Sequence, residues 1–152
     1  MSRPAKLRLV FPKEESTAYA KLLWDKAPET CTQISSLLPC EGESHHAIYS
    51  GSECVYLLDE MLRIEPENAT ANVVTGQIGF TWMDAGTSYG VEKSFAEICW
   101  FYDKDAQPRM WEGPVEVNIF ATIIEPATDF YETCRRMRRE RNKIIRIELC
   151  KE

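Results

Sequence analysis

Phe95-Ala96-Glu97-Ile98-Cys99-Trp100-Phe101-Tyr102 is the stretch that decides the fold of this chain. It is too short for a typical helix and rich in aromatic and β-branched residues, which reads as a strand. Alternation puts Ala96, Ile98, Trp100 and Tyr102 on one face, and Phe95, Glu97, Cys99 and Phe101 on the other. Both faces are apolar apart from Glu97. Val115 to Ile124 repeats the pattern. Such strands belong where one face fills a barrel and the other is covered by a helix or a partner chain. Glu97, among these neighbours, must be paired, shifted in pKa, or in water at the strand end.

Working outward, Leu7 to Phe11 and Ala18 to Trp24 alternate as strands around a polar connection, Pro12 to Ser16. Pro28 suits a first helical turn, and Cys31, Ile34, Leu37 and Leu38 follow at helical spacing until Pro39 ends the run. His46 to Ser50 and Cys54 to Leu58 read as strands joined at Gly51-Ser52. Ile78 to Trp82 is another strand, Pro126 to Arg141 a second helix, and Ile144 to Leu149 a last strand. The expected fold class is mainly β, a small barrel with one or two helices. Residues 1–124 are expected to form the barrel domain, with 125–152 appended to it as a helix and a strand.

Composition narrows the function classes. The 152 residues carry a net charge of -6. Residues 125–152 hold eight Lys/Arg against six Asp/Glu, leaving ten against eighteen for the rest. An acidic body argues against a nucleic-acid surface. No apolar run approaches the ~20 residues of a membrane span, and Met1 to Lys6 lacks a secretory core, so a cytoplasmic protein is expected. The six cysteines have irregular spacings without a metal knuckle and read as free thiols. No P-loop, G-x-G-x-x-G or G-x-S-x-G occurs, so neither cofactor nor metal is expected.

Several short motifs are familiar in order and spacing. They are Ala27-Pro28-x-Thr30-Cys31, Leu37-Leu38-Pro39, His46-x-x-Tyr49-Ser50-Gly51, Glu67-Asn68-Ala69, Gly76-Gln77-Ile78-Gly79-Phe80, Glu97-Ile98 and Asn118-x-Phe120-Ala121-Thr122-Ile123. Over about residues 6–124 the chain resembles a bacterial and archaeal family of unknown function with a cyclophilin-like β-barrel fold. The resemblance implies that fold but not prolyl isomerisation. The arginine of the cyclophilin Phe-His-Arg-Val motif falls on Ala47, so the donor to the proline amide is missing.

His46, at the position matching the family, and Glu97 are the candidate catalytic pair, able to give and take a proton if they converge. Asn118 is a candidate for orienting a carbonyl, and Tyr49, Trp82 and Tyr102 for lining a pocket. The plain alternatives are a hydrogen-bonded histidine at a barrel mouth and Glu97 paired with Arg109 or Lys93. The expected function is binding, with scope for transformation, of a small polar metabolite in a barrel pocket. The rival is a non-catalytic assembly module using the two-sided strands and the basic Arg135 to Lys143 segment. In either case a homo-oligomer is expected, because the outer strand faces need cover.

Overall fold

In Lys6–Phe11 (β1) alternation turns Leu7, Leu9 and Phe11 inward, and every one is buried. The structure, a computed structural model, describes residues 3–150. The remaining elements, in chain order, are β2 (Ser16–Leu22), α1 (Pro28–Ser35), β3 (Cys40–His46), β4 (Glu53–Leu57), β5 (Ala69–Thr70), β6 (Gln77–Met83), β7 (Phe95–Phe101), β8 (Arg109–Met110), β9 (Gly113–Pro114), β10 (Val117–Ile123), α2 (Thr128–Glu140) and β11 (Lys143–Cys150). The main sheet runs β2-β1-β11-β3-β4-β7-β6-β10, and β2 also pairs with β10 through Ala121↔Leu22 to Ile123↔Ala20. Eight antiparallel strands therefore close on themselves, with β5 added beside β10 and a separate two-stranded ribbon of β8 and β9.

The helix and strand expected after residue 124 are present, but the strand is inserted rather than added at an edge. β11 pairs with β1 over Lys6↔Cys150 to Val10↔Arg146, and with β3 over Lys143↔Ser44 to Ile147↔Cys40. The barrel closes through this last segment. Both helices join the same core. Phe130, Cys134 and Met137 of α2 are buried at spacings of four and three, and Phe130 stacks on Phe11 with centroids 5.1 Å apart. Cys31 and Ile34 of α1 are buried likewise.

The barrel interior is filled. Leu9, Phe11, Phe80, Ile98, Trp100 and Phe120 pack there with no more than 1% exposure. The outer faces of β7 and β10 form a second cluster, in which Val55, Cys99, Phe101, Ala106, Val117 and Ile119 are buried against one another and against Leu23 and Val73. The chain covers its own two-sided strands here, which removes the sequence-based reason for expecting a covering subunit.

One strand differs from expectation. The segment before β4 is paired over Cys40–His46 rather than His46 to Ser50, so His45 and His46 close a strand instead of opening one. Cys40-Glu41-Gly42-Glu43-Ser44 has almost no apolar signal, and its pairing with β11 is a tertiary effect that outweighs local preference. Gly42 has a reason to be small: a Cβ there would meet the Tyr56 ring at 3.3 Å.

Candidate functional site

Across β4, β7 and β6 the register fixes which side chains share the outer face. Leu57, Glu97 and Thr81 form one row, and Val55, Cys99 and Gly79 the next. Glu53 lies opposite Phe101, one step further along β4 on the same face. Gly79 lets Val117 pack directly on this face at its base, since a Cβ would meet Val117 Cγ2 at 2.9 Å. Above these rows the segments 47–50, 90–95 and 108–115 enclose a cavity of about 520 Å³. Val55, Leu57, Met83, Phe95 and Val117 give it apolar walls, and three glutamates line it: Glu92 from the 90–95 segment, and Glu53 and Glu97 from the strands.

The two carboxyls face an electrostatic problem. Glu53, Glu97 and Cys99 place their terminal atoms within 4.8 Å of one another. Neither carboxylate forms an ion pair among the described residues, so Glu97 does not pair with Arg109 or Lys93, although both line the cavity. The Ser50 hydroxyl beside Glu53 is shared with the backbone: Oγ accepts from Arg109 N at 3.0 Å and donates to Arg109 O at 3.3 Å. Two negative charges at such a separation repel by roughly 3.5–4 kcal/mol at an effective dielectric of about 20.

Protonation relieves this. Burial pushes the Glu53 carboxyl up to about 7, with contacts from Ser50 and Cys99 pulling back only part of the shift. Glu97 is raised well above the carboxylate range, first by desolvation and then by the Glu53 charge. Glu97 keeps some surface open to the cavity, yet it lies deep enough to lose most of its hydration. The Cys99 thiol is likewise held protonated by burial and by both neighbouring carboxyls. These three donors are one short of a closed tetrahedral shell. His45, opposite Val55, is two strands from Cys99, roughly 10 Å at ordinary sheet spacing.

The histidines divide as alternation requires, with an unexpected assignment. His45 shares the Val55 and Glu97 face, whereas His46 lies opposite inward-facing Cys54. His46 still borders the cavity, but both its nitrogens are engaged. Nδ1 donates to Ala47 O at 2.9 Å, and Nε2 accepts from Tyr102 OH at 2.7 Å and from Arg138 Nε at 3.2 Å. That pattern fits a neutral ring, and desolvation with the Arg138 charge lowers its pKa. The His45 ring has no hydrogen bond among the described residues, and desolvation lowers its pKa as well.

Of the other sequence candidates, Tyr49 lines the cavity and is 41% exposed. Tyr102, Trp82 and Asn118 lie elsewhere. Tyr102 is buried in the interior against His46 and beneath the Arg135 guanidinium, 5.7 Å from its ring centre. Trp82 shares the inner face with Phe80 and donates from Nε1 to Ile64 O at 3.1 Å. Asn118 ties down the 65–67 segment: its carbonyl accepts from Glu67 N at 3.0 Å, and its amide donates to Glu65 O at 3.0 Å and Thr30 Oγ1 at 3.3 Å. Sequence reasoning missed Glu53, Cys99 and His45. Parity with Val55 would have placed Glu53 on an outer face, but nothing local tells that β4 lies beside β7.

Comparison with known proteins gives the chain a family and a fold. The chain belongs to the family described as Protein of unknown function (DUF3830), whose profile matches residues 9–148, through α2 and β11. It is similar to McbB, seen in a structure in complex with tryptophan, with a TM-score of 0.67 and 13% identity over 96% of this chain and 45% of that one. This chain thus spans less than half the length of McbB. It is also similar to the hypothetical protein AF2241 from Archaeoglobus fulgidus, seen in a solution structure, with a TM-score of 0.60 and 17% identity over 98% of each chain. No curated protein matches the sequence. The fold is cyclophilin-like and mainly β. No helix among the described residues is long and apolar enough to cross a membrane.

Proposed function

We propose that this DUF3830 member binds a small polar molecule in the cavity on the outer face of β4, β7 and β6, and exchanges a proton with it through Glu53 and Glu97. The observation that carries this reading is a pair of carboxyls in a cavity, close together and without a counter-ion. A cavity of about 520 Å³ falls within the ~300–1,000 Å³ range of small-molecule sites. Two carboxyls with raised proton affinity, close enough to interact, can supply an acid and a base at one pH. Because they interact, the protons leave in two steps that belong to the pair.

The tryptophan complex of McbB supports a small ligand only as a class, since the similarity is one of fold. Six free cysteines fit the cytoplasmic setting expected from the sequence. His46, with both nitrogens engaged, serves as a positioning residue for the 47–50 segment rather than as the proton carrier.

A thermal-shift screen of small polar compounds at pH 7, run on the native chain, Glu53→Gln and Glu97→Gln, tests the reading. Ligand binding to the folded state raises Tm by mass action. Compounds that raise Tm in the native chain and lose that effect in both variants are expected. Hits retained undiminished in both variants would contradict the proposed site.

A further inference from the structure

Three loops each bring one aromatic ring to the surface beside the cavity. Tyr49 comes from the β3–β4 connection, Tyr89 from the β6–β7 connection, and Trp111 from the tip of the β8–β9 ribbon. Tyr49 and Trp111 meet edge to face with centroids 6.1 Å apart, and Tyr89 meets Trp111 at 5.6 Å. Their exposures are 41%, 70% and 64% for Tyr49, Tyr89 and Trp111, so none of the three is a core residue. Two of the loops are fastened together, because the Glu112 carboxylate accepts from the Ser88 hydroxyl and from Tyr89 N at 2.9 Å. Tyr49 itself lines the cavity, as do Gly90 and Met110, the neighbours of Tyr89 and Trp111.

We infer that the ligand is a cationic amine carrying a flat aromatic ring, its nitrogen directed to Glu53 and Glu97 and its ring held against Tyr49 and Trp111. This rests on the proposed function and names the ligand class for the same cavity. Two features require the two halves. Carboxyls without a resident cation accept a positively charged nitrogen in place of a shared proton. Exposed aromatic rings at a cavity mouth bind flat apolar groups and favour adjacent positive charge. Arg109 and Lys93 at the same cavity leave room for a polar substituent on the ligand, but the paired carboxyls disfavour an anion at the deep end.

The test uses four probes with the full chain: 2-phenylethylamine, n-butylamine, 2-phenylethanol and 3-phenylpropionate. Binding is followed by NMR shifts of the Trp111 indole and of backbone amides. The amine with a ring is expected to bind at least about ten-fold more tightly than each of the others. Glu97→Gln removes the preference for the amine over 2-phenylethanol. Tyr49→Ala with Trp111→Ala, both at exposed positions, removes the preference for 2-phenylethylamine over n-butylamine while leaving Tm unchanged.

Equal binding of 3-phenylpropionate and 2-phenylethylamine would overturn the inference. So would a ring preference that survives the double substitution, or no binding of 2-phenylethylamine at millimolar concentration. In each of these cases the proposed function stands separately, on whether other compounds bind in a Glu53- and Glu97-dependent way.

Discussion

Glu67 and Glu53 are the same residue type in one barrel, put to opposite uses. Glu67 sits against the start of α1, where its oxygens accept from Glu29 N at 3.0 Å, Thr30 N at 2.8 Å and Thr30 Oγ1 at 2.7 Å. Desolvation pushes its pKa up, but the three donors outweigh it and hold the carboxyl below its usual value. Glu53 is more deeply buried, faces a second carboxyl, and is raised to about 7. Donors make a carboxylate structural. Glu53, with only the Ser50 hydroxyl and the Cys99 thiol against a larger desolvation, is left ready to take a proton or a cation from a ligand.

The comparison is broken most severely at Asn118, which positions the Glu67 segment. Asn118→Ala strands the polar groups it now satisfies and is expected to cost about 2–4 kcal/mol in urea denaturation. The cavity carboxyls should titrate as before.

Glu53→Gln acts in the other direction. A carboxyl raised from 4.5 to about 7 favours the folded state fully below 4.5, and that contribution is lost as pH rises through about 7. At pH 8 the variant should therefore exceed the native chain in stability by up to about 3 kcal/mol, with the difference vanishing near pH 4. Both histidines weaken the fold on acidification, since their folded pKa values are lowered, so the difference between variant and native chain is the quantity to measure.

Glu67→Gln sharpens the contrast with the opposite sign. Its contribution is present above the usual carboxylate pKa and is lost as pH falls through the depressed folded value. A loss of about 1–2 kcal/mol at pH 7 is expected, shrinking toward zero in acid. The smallest effect on stability belongs to His46→Ala, which removes a partner of the Tyr102 hydroxyl and should cost about 1 kcal/mol.

The barrel was legible because β7 and β10 carry apolar residues on both faces, and the alternation of β1, β2 and β6 is plain. The polar strand β3 was not, since its stability comes from pairing with β11, a hundred residues away. The role of the C-terminal strand was hidden for the same reason. Deleting 125–152 would remove a barrel strand as well as the basic helix, so that deletion cannot isolate an assembly element. At the site, Glu97 stood out as a carboxylate inside an apolar strand. Its partner did not, because Glu53 becomes its neighbour only through the order of strands. Asn118 and Trp82 were chosen for their residue types, and both are satisfied by backbone partners that no spacing reveals.

Among the described residues the carboxyl pair of the outer cavity has neither an ion pair nor a backbone donor, whereas Glu67 accepts from two backbone amides. Carboxyl-carbon NMR across pH 3 to 9 tests this contrast directly. The account predicts that Glu67 titrates below 4.5, Glu53 near 7, and Glu97 well above the carboxylate range, with the last two coupled. Midpoints near 4.5 for both Glu53 and Glu97 would mean that the pair is hydrated and apart, and would contradict it.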